Sequence, residues 1–131
     1  MSYHFTVTLD CTFDEAIDRT TAALKEKGLG VLSTIDVQNA MKEKLGEEIK
    51  PYKILGACSP KHALRAIGAE NKIGVMLPCN VLVQENEASQ IEVSIVDPIA
   101  SMAAIDNPQL GEVAMEVQGL LKAVADDLAG A

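Results

Sequence analysis

In YHFTVTL, residues 3–9, Tyr3, Phe5, Val7 and Leu9 fall on one side and His4, Thr6 and Thr8 on the other. A period of two predicts a half-buried strand. The period changes directly afterwards. Ala16, Ile17, Thr20, Ala23 and Leu24 recur at helical spacing and stop at Gly28, predicting a helix over 12–27. Thr12 and Glu15 stand three apart at its start, the spacing of a capping box. GVLSTIDV, from residue 30, predicts a second strand, and QNAMKEKLGEE a short helix with Met41 and Leu45 on one face, closed by Gly46.

PYKILGAC, ending at Cys58, reads as a third strand, and SPKHALRAIG as a helix with Ser59 at the N-cap and Pro60 in the first turn. VMLPCNVLVQE predicts a fourth strand with Pro78 near its beginning, where strands tolerate proline. QIEVSIVDP predicts a fifth, joined to the fourth by the turn ENEAS. From Asn107 onward Leu110, Val113, Val117, Leu121, Val124 and Leu128 repeat every three or four residues, predicting a helix over 108–128. Short connections and one-faced strands favour an α+β fold. Its sheet is five-stranded and mainly antiparallel, with the helices packed on one face.

The 131 residues suit a single domain, 1–131, large enough to bury a core without a metal or a disulfide. A net charge of −8, two Phe, two Tyr and no Trp argue against a nucleic-acid partner, which calls for basic patches and stacking rings. No run approaches the about 18 apolar residues that cross a bilayer, so no membrane partner is expected. The chain opens on a strand pattern rather than a leader, and three cysteines, an odd number, fit a reducing compartment; the expected location is cytoplasmic.

These segments also resemble a known family. GLGVLSTIDV, MKEKLG, YKILGAC followed by Pro60, LPCNV and Asp97-Pro98, in that order, are similar to the domain-of-unknown-function 302 family over about residues 3–127. The resemblance implies a β-α-β4-α, TATA-binding-protein-like fold and supplies almost nothing about activity. Matching positions include Asp36, Lys42, Gly56, Cys58, Pro78, Cys79, Asn80 and Asp97. The chain departs from the family pattern at Thr34, and at Ser59, where Asn is common; His62 lies outside the pattern.

Chemistry concentrates at Cys58 and Cys79. Cys58 sits before a helix N-terminus, whose dipole lowers a thiol pKa below its free value of about 8.5. Antiparallel pairing of the third and fourth strands brings Cys79 to the same rim. The expected function is the binding of a small ligand, sulfur species or soft metal there, with Ser59, Asn80 and Asp97 as polar partners and Lys42 as an anion contact. The alternatives are a thiol-dependent enzyme at the same rim, a structural homodimer without ligand, or two cysteines that only fill core. Cys58, His62 and Cys79 lack the close ligand pair of a zinc site, so no metal is assigned, and no cofactor is named. A homodimer is the expected assembly, because an uncovered sheet face or edge tends to be protected by symmetric pairing.

Overall fold

The computed structural model describes residues 2–130; positions 1 and 131, the outer bounds of the expected domain, lie outside the described residues. The first strand, β1 (His4–Leu9), leads into α1 (Phe13–Glu26). There Glu15 N–H donates to Thr12 Oγ1 at 3.1 Å and Thr12 N–H to Glu15 Oε1 at 3.2 Å, the reciprocal cap that the spacing predicts. The helix ends where Gly28 turns to φ +78°, a region that glycine enters without a Cβ penalty. Strand β2 (Gly30–Asp36) and helix α2 (Val37–Leu45) follow. Asp36 Oδ1 accepts from Asn39 N–H at 2.9 Å, which starts α2 immediately after the strand.

Strand β3 (Tyr52–Cys58), helix α3 (Pro60–Ala69), a 3-10 turn over Asn71–Met76 and strand β4 (Cys79–Glu85) come next. They are followed by β5 (Ile91–Val96), a one-turn α4 (Pro98–Ser101) and the long α5 (Pro108–Gly130). The strands form one sheet in the order β1-β5-β4-β3-β2, and every neighbouring pair is antiparallel. Val81, Val83, Val93 and Ile95 point to the helical face of the two inner strands and are fully buried. Each such side chain contributes about 1.5–3 kcal/mol on leaving water. Helix α1 lies against those strands, and α5 packs on α1, α3, α4 and β1 with Leu110, Leu121 and Val124 almost wholly buried. The α+β architecture predicted from alternation is therefore present, with α1 and α5 together on one face.

Three local readings change. The fourth strand starts at Cys79 rather than four residues earlier, because Asn71–Met76 winds into a 3-10 turn that buries Ile73. Asp97-Pro98 is the start of a helix as well as the end of a strand. Helix α2 touches β3 but buries no residue fully, and its Leu45 is 68% exposed.

Candidate functional site

Strand β3 runs into α3 at Cys58-Ser59, and β4 begins beside it after the cis Leu77-Pro78 peptide. The β3–β4 register places Cys79 opposite Ala57, while Cys58 stands opposite Gly30 of β2. The two cysteines are thus one register step apart at the same end of the sheet. Both are free and half-buried. They border an apolar cavity of ≈ 30 Å³ between the sheet and helices α3 and α5, walled by Ala57, Ala66, Leu77 and Val117. A water needs about 10–15 Å³ of such space, so the cavity takes a guest of one to a few heavy atoms. Gly56 shapes the rim from behind. A Cβ there would run into the Ser33 hydroxyl and stand 2.7 Å from Pro78 Cγ, so only glycine lets Pro78 lie this close to β3.

Desolvation governs the two thiols. Burial pushes the Cys58 thiol up. Burial, and then the charge of Cys58, push Cys79 up to about 11. The helix start predicts a lowered Cys58 value, whereas the direction is upward and its cause is burial. At neutral pH both groups are protonated thiols.

Ser59 occupies the N-cap position of α3, but its hydroxyl makes no cap. It lies 2.6 Å from His62 Nδ1 instead. His62 is 6% exposed, and its Nε2 lies 3.4 Å from Glu116 Oε1 on α5. Arg65 closes on the same carboxylate with two bonds, Nη1 to Oε1 at 2.9 Å and Nη2 to Oε2 at 2.7 Å. The Arg65 hydrogen bonds hold the Glu116 carboxyl down to about 2, with smaller help from His62. The S-x-x-H spacing at a helix start, residues 59–62, is a signal that places Ser59 and His62 together. Glu116 arrives from another helix and has no such signal.

The remaining candidates lie elsewhere. Asn80 pairs with Gly56 and is exposed on the open face of the sheet, beside Tyr52, Leu82 and Ser94. It follows Cys79 by one residue, and strand alternation turns it away from the cavity. Asp97 Oδ1 accepts from Ile99 N–H at 3.0 Å and from Gln118 Nε2 at 3.1 Å, which ties α4 to α5; its neighbour Pro98 borders the cavity. Lys42 pairs with Glu48 at 3.6 Å on α2, which leaves β2 at the Asp36 end. Asp36 faces Lys53, and Gly30, at the other end of β2, faces Cys58. Lys42 is therefore at the opposite end of the sheet from the cysteines. Among the described residues no three His, Cys, Asp or Glu side chains are grouped to hold a metal ion, and no helix is long and apolar enough to cross a membrane.

A small α+β domain with an antiparallel sheet, one helical face and a tight apolar cavity at a strand–helix junction is the class that these features define. The chain belongs to the family described as Domain of unknown function DUF302, whose model matches residues 5–128. It is similar to an uncharacterised conserved DUF302 protein from Bacillus stearothermophilus, known from its crystal structure. The two share 28% identity at a TM-score of 0.90, over 98% of this chain and 99% of that one. No curated protein matches the chain.

Proposed function

We propose that the protein is a binding module that holds a small uncharged sulfur-bearing guest in the cavity bordered by Cys58 and Cys79. One observation carries the reading: two thiols border a single apolar space of ≈ 30 Å³. Protonated thiols in an apolar wall favour a neutral, polarizable guest over an anion. They disfavour a soft metal, whose binding would first have to expel both protons. The His62 ring supplies no further ligand, because Ser59 and Glu116 occupy its two nitrogens. The same protonation weighs against the thiol-dependent enzyme, since the thiolate is the nucleophile.

The test is titration of the isotope-labelled protein with sodium sulfide at mildly acidic pH, where most of it is uncharged hydrogen sulfide, in parallel with a Cu(I) titration. Amide shifts at Cys58, Cys79 and Val117 that saturate with sulfide, and vanish in Cys79→Ser, support the module. No perturbation at millimolar sulfide, or saturation by Cu(I) alone, rejects it.

A symmetric dimer is a second reading, and a different observation favours it. Strand β2 is a sheet edge with Leu32 70% and Ile35 54% exposed, and α2 beside it buries nothing. Pairing with a second copy along this edge would cover both.

A further inference from the structure

Glu116 is ionised, because Arg65 holds its carboxyl far below neutrality, and an ionised carboxylate can only accept hydrogen bonds. A carboxylate facing His62 Nε2 selects the tautomer with its proton on Nε2. Nδ1 is left with its lone pair directed at Ser59 Oγ, 2.6 Å away. In that tautomer the hydroxyl donates to Nδ1. Ser59 thus hands its proton towards a base whose far side is held by a carboxylate, and that carboxylate is fixed in turn by a two-bond arginine. This is the arrangement that activates a serine oxygen as a nucleophile.

The surroundings add two further parts. Ser59 and His62, only 7% and 6% exposed, reach the surface at a second groove of ≈ 380 Å³, walled also by Lys27, Gly28, Lys61 and Leu120. Since the hydroxyl makes no cap, the first-turn amides of Lys61 and His62 have no side-chain acceptor. Pro60 has no N–H, so these two are the first donors that α3 offers. Unpaired amides at a helix start beside a nucleophile are suited to a developing oxyanion.

We infer that Ser59 is an acyl-accepting nucleophile, with His62 as its general base and Glu116 as a positioning residue, acting on short-chain carboxylic esters in the Lys27–Leu120 groove. Ser59 Oγ attacks the carbonyl carbon while its proton passes to His62 Nδ1. The tetrahedral oxygen takes hydrogen bonds from the amides of Lys61 and His62. Collapse breaks the bond to the alcohol, which leaves with the proton from Nδ1. Water then attacks the Ser59 ester and gives a proton to Nδ1; that proton returns to Oγ as the carboxylic acid departs. No redox partner is needed. The inference does not rest on a guest between the cysteines, and it stands or falls separately from that reading.

The experiment uses the unmodified chain first. A fluorophosphonate probe followed by peptide mass analysis is expected to place the adduct on Ser59, and p-nitrophenyl acetate is expected to be turned over catalytically. Ser59→Ala and His62→Gln should each lower that turnover at least about 100-fold, the usual contribution of a positioned base and its nucleophile. Glu116→Gln should lower kcat and leave KM unchanged, a split that a merely structural link between α3 and α5 does not produce. Thermal melts of each variant show whether it is folded. The decisive result needs no variant: if the unmodified protein is not labelled at Ser59, the inference is overturned. It is equally overturned if folded Ser59→Ala hydrolyses the ester as fast as the parent. The Ser59–His62–Glu116 chain is then a structural link only.

Discussion

Raising the pH should selectively destabilise the folded chain through Cys79. Burial lifts this thiol from an ordinary 9.0 to about 11. The unfolded chain releases the proton at the ordinary value, and the folded chain holds it until about 11. Below pH 9 both states are protonated, and the stability associated with the buried neutral thiol is fully present. Between the two values only the unfolded state ionises, so stability falls as pH rises; above about 11 the loss is complete. A tenfold change in proton affinity is worth about 1.4 kcal/mol, so the interval corresponds to at most about 2.7 kcal/mol. That is a large share of a typical domain stability of about 5–15 kcal/mol. Urea unfolding of the parent and of Cys79→Ala across this range isolates the effect, because tyrosine and lysine titrations are common to both. The substitution removes packing at every pH and lowers both ends alike. The parent should lose about 2 kcal/mol more than the variant between pH 9 and pH 11, and somewhat less in a Cys58→Ala background, where the neighbouring charge is missing. Parallel curves, agreeing within about 0.5 kcal/mol, would refute the argument.

Gly56→Ala should cost about 1–3 kcal/mol, because the added methyl meets Ser33 and the stiff Pro78 ring at once; an unchanged melting temperature would show that the rim yields. Sedimentation at tens of micromolar should detect a two-chain species that Leu32→Glu dissociates, since Leu32 lies 70% exposed on the edge strand; monomer alone in the parent counts against the dimer.

The parts of the fold readable in the chain were those with one face in water. Strand β1, strand β5 and helix α5 each alternate cleanly because one side meets the core and the other does not. Helix α2 shows the limit of that reasoning. Met41 and Leu45 have helical spacing, yet Met41 is only half-buried and Leu45 exposed, and periodicity records a capacity for burial rather than its extent. Val75 and Met76, the end of the Asn71–Met76 turn, read as the start of the following strand because they run apolar into it with no period of their own. At the candidate site, the nearness of Cys58 and Cys79 follows from local antiparallel pairing of β3 and β4. Ser59 was readable as an N-cap by position but not by bonding, because a hydroxyl three residues before a histidine has a competing acceptor. Glu116 was beyond reach, for it meets His62 only through the packing of α3 on α5.

The sheet order has a consequence for the chain as it is synthesised. Strand β1 pairs only with β5, and His4 finds its partner in Val96. A nascent chain can zip β2, β3 and β4 together by adjacent antiparallel pairing and lay α1 on β2 and β4, but β1 must wait, tethered and unpaired, until β5 has left the ribosome. Even then the helical layer is incomplete, because α5, which packs on α1, α3, α4 and β1, is the last element made. Closing such long loops is slow compared with local pairing, and a waiting strand with an uncovered sheet is the kind of surface that chaperones engage. The order of synthesis thus runs against the order of burial: the first strand made is among the last to be placed.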